Sequence, residues 1–234
     1  RADIPHTNFV KNWLNYAPID LAWEGYDLDG ADIAKQMANG AVKDIYYRIN
    51  GSPADTSVIF DLDFFRLCDK YKIACFGTWH NAGHTLKEQG LNLPFTALYS
   101  GAKMDARLDE MLPVFHNSSA NHWGASRGHY NLGLEWHQGG YFLDHKDGVL
   151  IPVRYVAHRN IGKGVPDQPD QATFSITVRR IKHLSTKVGE KIAWQLHGYR
   201  SGEVTVTTPG EVTVTGLTLP DTTRWAALTL TPAQ

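Results

Sequence analysis

The sequence is poor in the features that announce a specialised class. It has 234 residues with only two cysteines, so a disulfide framework is not expected, and Cys68 and Cys75 read as buried free thiols. It has no run of like charge and no basic stripe, and its formal net charge is -1. That balance gives no electrostatic reason for a nucleic acid or an anionic membrane as partner. No apolar run approaches the roughly 20 residues that span a bilayer, and no signal-like segment opens the chain. A metalloprotease helix is also missing. His80 and His84 lack the glutamate of H-E-x-x-H and are separated by a glycine, and the spacings of His116, His122, His129 and His137 match no strong ligand motif. No metal and no cofactor is expected, and small molecules or neutral polymers are the expected ligands.

What is present is ordinary globular material: 42% hydrophobic and 20% charged residues, enough for two modest domains. Position 1 is arginine, which leads to the expectation that cleavage or trimming made this N-terminus.

From Pro18 to about Leu112 strands and helices alternate. Ile19 to Trp23 is a short apolar stretch, and Asp29-Gly30 opens a helical segment, Ala31 to Asn39, stopped by Gly40. Lys43 to Asn50 is aromatic and β-branched, hence a strand. Thr56 or Ser57 caps a helix whose apolar residues Val58, Ile59, Leu62, Phe65, Leu67 and Cys68 fall at helical spacing. Ile73 to Trp79 is a continuous apolar run, which predicts a strand covered on both faces within parallel βαβ connections. Ser100 is placed to cap one more helix, to about Leu112.

After Pro113 the chain turns to loops rich in Asn, His, Gly and aromatics. From Gly148 onward come short alternating strands, "VLIPVRYVA", "ATFSITVRRI", "EKIAWQL", "GEVTVTT", "GEVTVTGL" and "WAALTLT", which read as an antiparallel β-sandwich. Arg179 and Arg180 read as solvated strand residues. The organisation expected is therefore α/β over 1-112, a connecting loop region over 113-147 and an all-β sandwich over 148-234. The partial parallel sheet of the first segment requires completion by an upstream chain or segment, because a few parallel strands cannot cover both faces and both edges alone.

Two residues carry the chemistry. Asp55 follows one strand and His84 the next, with one helix between. Open parallel sheets present their ligand sites at the carboxyl ends of the strands, so both side chains are expected on one rim. A histidine base needs an acceptor at Nδ1 to hold its tautomer and stabilise the imidazolium, and a loop aspartate serves that purpose. Taken singly, Asp55 also fits a turn residue or a helix-start carboxylate, and His84 a structural histidine.

The stretches "YYRINGSPADTSV", leading to Asp55, and "IACFGTWHNAGHT", leading to His84, resemble the C-terminal half of the α/β-hydrolase superfamily, in which an acid follows a late strand and the histidine follows the last. The order of elements, the 29-residue interval from Asp55 to His84 and the glycine beside the histidine agree. The resemblance implies a Ser-His-Asp triad with Asp55 orienting His84. Trp79, His80 and Trp123 are placed to line the substrate.

The family's nucleophile should precede the acid, in G-x-S-x-G on a strand-to-helix turn. Here the pattern occurs only as Gly124-Ala125-Ser126-Arg127-Gly128, after His84 and without an apolar strand before it. Ser52 lies in the acid loop itself, and Asp27 is followed two positions on by Asp29 rather than a small residue. The expectation is a nucleophile upstream of Arg1, on a chain of the same precursor, so that this chain is the C-terminal piece of a serine hydrolase. The leading activity is hydrolysis of a small-molecule or polymeric ester in a secreted or periplasmic setting. A peptidase of the same superfamily is the nearest rival, and a carbohydrate-binding or interaction protein built on the sandwich is the rival of another class.

Overall fold

The computed structural model describes residues 33–51, 58–79, 108–124, 127–137, 142–159, 161 and 165–233. Among these residues the protein is mostly β: two helices, one small mixed sheet holding a parallel strand pair, and two antiparallel sheets. No helix among them is long and apolar enough to cross a membrane.

The first unit runs through α1 (Ile33–Ala38), β1 (Tyr46–Gly51), α2 (Val58–Tyr71) and β2 (Ala74–Trp79). Gly40 stops α1 as expected. It sits at φ 79°, with the Ala41 amide donating to Gln36 O at 2.9 Å and the Gly40 amide to Met37 O at 3.2 Å, the paired bonds of a left-handed C-terminal cap. The end of α2 repeats this cap on a lysine. Lys72 has φ 54°, and the Ile73 amide donates to Cys68 O at 2.8 Å. β1 and β2 are parallel, and every side chain of β2 is buried, as its apolar run implies. Cys68 and Cys75 are buried free thiols.

The remaining strands are β3 (Leu112–His116), β4 (Gly128–Tyr130), β5 (Leu134–Trp136), β6 (Leu143–His145), β7 (Gly148–Tyr155), β8 (Gln171–Arg179), β9 (Lys191–Leu196), β10 (Arg200–Thr205), β11 (Val212–Pro220) and β12 (Ala226–Pro232). Among the described residues the parallel character expected of the first sheet holds for β1 and β2 only. The second edge of β2 is taken by β4, which runs antiparallel and arrives from far downstream. The strand expected at Ile19 to Trp23, and the helix expected from Ser100 as far as residue 107, lie outside the described residues. Residues 108–110 are turn and bend, and Leu112 opens β3 instead of closing a helix.

The larger antiparallel sheet has the order β10-β9-β12-β7, with β5 and β6 both on β7, and the other has the order β11-β8-β3. They share one apolar core, to which Ile151, Phe174, Ile176, Trp194, Val214, Leu217 and Leu228 belong. Strand pairing crosses the expected segment limits: β3 joins β8, and β5 joins β7. The near-repeat "GEVTVTTPGEVTVTG" also divides. Its first arm pairs with β9, its second with β8, and the turn at Pro209-Gly210 carries the chain from one sheet to the other.

β8 explains how the layers meet. Ala172, Phe174, Ile176 and Val178 face the shared core, while Ser175, Thr177 and Arg179 point the other way and are buried all the same. This second face is covered by the β1–α2–β2 unit, whose Ala74 packs on Leu112 and Val114 of β3. Thr177 and Arg179 on this face find partners in the protein rather than in solvent, as burial favours. Arg179, expected on the surface, is 5% exposed; its Nη1 donates to Lys43 O at 2.7 Å and its Nε lies 3.3 Å from Glu211 Oε1. Thr177 Oγ1 is 3.0 Å from His116 Nε2 and 2.9 Å from Thr213 Oγ1. Asn131, at φ 55°, ties the mixed sheet to the middle one, its Nδ2 donating to Cys75 O at 3.0 Å and to Phe115 O at 2.9 Å.

Candidate functional site

The parallel register pairs Tyr46 with Ala74 and ends with Gly51 opposite Trp79. The two strands therefore finish level, at their carboxyl ends, where a sheet of this kind presents its ligand site. Asp55 is four residues beyond Gly51 and His84 five beyond Trp79. Asp55, His80 and His84 themselves lie outside the described residues, as do Asp27, Ser52 and Ser126.

Of the expected lining residues, Trp79 and Trp123 are described. Trp79 is fully buried, stacked on Phe65 with ring centroids 4.9 Å apart and planes 19° apart. Its Nε1 donates to Gly124 O at 2.7 Å. The opposite strand position is Gly128, where any Cβ would run into the indole and into His122 O. Trp123 is half-buried, 6.4 Å from Trp79 and 5.5 Å from Tyr130 between ring centroids. The result is an aromatic wall under the end of β2, closed by the chain from His122 to His129, whose backbones exchange hydrogen bonds of 3.1 and 3.0 Å.

That hairpin bears on the G-x-S-x-G pattern. Both of its glycines are held against Trp79, but a strand, β4, follows the pattern where a nucleophile elbow needs a helix.

The partnership of Tyr130 with Asp69 was not visible in the sequence. Asp69 Oδ1 accepts from the Asn117 amide at 2.7 Å and from the Tyr130 hydroxyl at 3.1 Å. Burial, and then the Asp69 charge, push the Tyr130 phenol well above its ordinary range, so it remains a neutral donor that fixes α2 against β4. Nothing local in the sequence signals these contacts, because the partners are some sixty positions apart.

The histidines are dispersed. His122 and His129 are cross-strand neighbours with ring centroids 6.2 Å apart, His116 is enclosed between β3 and β8, and His137 lies against Trp225 at 5.0 Å. Among the described residues no group of three or more His, Cys, Asp or Glu side chains is placed to share a metal ion. Comparison with known proteins finds no matching family model, no matching curated protein and no matching solved structure.

Proposed function

We propose that the chain carries the acid–base half of a serine hydrolase, a carboxylic ester hydrolase in which His84 is the general base, Asp55 orients it, and the serine belongs to a segment outside this sequence. The observation that supports the reading is the pairing of Gly51 with Trp79. Two chain segments that leave level, adjacent, parallel strand ends start about 5 Å apart, and four or five residues of extended chain reach far enough to bring an aspartate and a histidine together. In that arrangement His84 takes the serine proton as the ester is attacked and returns it to the leaving alcohol, while Asp55 holds the imidazole in the required tautomer. The aromatic wall of Trp79, Phe65 and Tyr130 provides a rigid floor for the segment bearing the base. Strands from the upstream segment would extend the sheet beyond β1 and complete the α/β-hydrolase core, and the two antiparallel sheets would form the accompanying sandwich.

A peptidase would use the same groups. The non-catalytic reading, a carbohydrate-binding or interaction protein built on the sandwich, draws on a different feature. This is an open groove of ≈ 530 Å³ on the larger antiparallel sheet, lined by Leu143, His145, Asp147, Leu150, Thr229 and Thr231.

The test is to express the chain together with the coding sequence that precedes it and to assay p-nitrophenyl acetate hydrolysis. His84→Ala is expected to lower kcat/KM by at least ~10³-fold and Asp55→Asn by ~10²–10⁴-fold, with His80→Ala much milder. A fluorophosphonate is expected to label the upstream segment. Full turnover in the His84→Ala protein, or labelling confined to this chain, overturns the assignment.

A further inference from the structure

We propose that His116 is the pivot of an acid-sensitive joint: on acidification the β1–α2–β2 unit releases from the β11-β8-β3 sheet while the core between the two antiparallel sheets stays closed.

The joint is a mixed seam, part apolar and part hydrogen-bonded, between two apolar bodies. One body is the core shared by the antiparallel sheets, and the other is the cluster of Phe64, Phe65, Cys68, Ile73, Cys75, Trp79 and Tyr130. Between them Ala74 packs on Leu112 and Val114, Tyr46 meets Trp136 with ring centroids 5.3 Å apart, and Phe76 reaches into the shared core; the polar ties are Arg179 to Lys43, Asp69 to Asn117, and the relay through His116. Such seams depend on each donor meeting an acceptor, since a buried group left unpaired costs more than the bond contributes.

His116 is 2% exposed and its ring is engaged at both nitrogens. Asn117 Nδ2 lies 3.2 Å from Nδ1, and Nε2 lies 3.0 Å from Thr177 Oγ1, which in turn reaches Thr213 Oγ1. An amide nitrogen only donates, so Nδ1 accepts, Nε2–H donates, and the ring is neutral. Protonation sets two donors face to face at Nδ1. Turning the Asn117 amide relieves that conflict but not the charge. The charges that act on the ring are Lys72, at the end of α2, and Arg179 on β8, while the carboxylates Asp69 and Glu211 are held on its neighbours Asn117 and Arg179. Asp69 is engaged by Asn117 and Tyr130, and Glu211 by Arg179 and Lys43. An imidazolium there meets Lys72 and Arg179 without a free carboxylate. Burial and those two cations hold the His116 pKa down at about 4 instead of 6.5.

The sign follows from linkage. The released state exposes the imidazole and binds its proton near pH 6.5, whereas the docked state does so only near pH 4. The ratio of released to docked molecules therefore rises ~10-fold per pH unit through that window, ~300-fold in all. Because Asn117, next in the chain, holds Asp69 through its backbone amide, the disturbance acts where β3 meets α2.

Backbone hydrogen exchange on the full chain, followed from about pH 7.5 to about 4 and corrected for the intrinsic pH dependence, reads this directly. Amides of α2 and β2 are expected to lose protection below about pH 6.5 while those of β9 and β12 keep it. His116→Gln retains a donor toward Thr177 and cannot be charged, so its α2 and β2 protection is expected to stay level. Three results overturn the proposal: wild-type α2 and β2 protection that does not fall, an equal fall in His116→Gln, or a parallel loss in β9 and β12. If the variant does not fold, NMR titration of the His116 ring in the wild type decides. A midpoint between 4 and 6.5 coincident with loss of α2 and β2 protection supports the joint, and a midpoint at 6.5 with protection intact overturns it.

Discussion

Phe65 and Gly77 meet ring to backbone: the tip of the phenyl ring occupies the space in which any Cβ at position 77 would stand. α2 lies that close to β2 because one residue of the strand has no side chain. Gly77→Ala is expected to destabilise the protein by about 1–3 kcal/mol through overpacking. Urea unfolding measures it. Phe65→Leu in the same chain should return part of the loss, since the two changes share one space. Additive losses would show that the contact is not the cause.

Lys72 ends α2 in the left-handed region at φ 54°, a conformation that costs a side-chain-bearing residue about 1–2 kcal/mol relative to glycine. Lys72→Gly is expected to raise stability by about 0.5–1 kcal/mol after the glycine's larger unfolded-state entropy is subtracted. It also removes one cation from His116, so the gain should be larger at pH 5 than at pH 7.5. Denaturant midpoints at the two pH values check both parts.

Asn131 uses its side chain and its backbone at once, bridging β2 to β3 from φ 55°. Asn131→Ala leaves the buried carbonyls of Cys75 and Phe115 without this donor and puts a Cβ in the left-handed region. The expected loss is about 2–4 kcal/mol. Asn131→Gly loses the same bonds without the strain, and should be about 1 kcal/mol less damaging. Equal losses would show that the dihedral angle carries no cost here.

His158 is 5% exposed, and burial holds its pKa at about 4. The unfolded chain takes up this proton near pH 6.5, ahead of the native state. The contribution of His158 to stability is therefore complete above about 6.5 and is lost as pH falls toward 4, amounting to about 3 kcal/mol at full protonation. His158→Gln should flatten that part of the stability profile without altering α2 and β2 exchange, which distinguishes it from His116. An unchanged slope would mean that His158 binds its proton equally well in the folded and the unfolded chain.

The elements that the sequence discloses are those whose pattern is set by neighbours along the chain. β7, β8, β9, β11 and β12 alternate as strands with one core-facing side, and α1 carries its own stop at Gly40. β2 announces its two-sided burial by being apolar throughout. The features it conceals depend on distant partners. Nothing in "GHY" indicates that Gly128–Tyr130 will run antiparallel beside β2. The matching arms of the near-repeat give no sign that they enter different sheets. Arg179, in one polar row with Ser175 and Thr177, reads as solvated because alternation reports that a side differs, not what covers it. The parallel pairing of β1 and β2 was legible from the alternation of strand and helix, whereas the Trp79 to Gly124 bond at the end of β2 joins positions 45 apart.

β8 is needed by both halves of the molecule, and it is made late. β3 and the β1–α2–β2 unit emerge from the ribosome well before residues 171–179, yet the polar surface on which they settle, with Arg179 to satisfy Lys43 O, comes only with that strand. Domains generally fold as units during synthesis, the N-terminal one first; here the earlier unit lacks its partner until then, with the edge of β3 and the Lys43 carbonyl unpaired in the interval. Arrest of translation before β8 should leave a nascent chain that chaperones hold, and release from them should follow synthesis of Arg179.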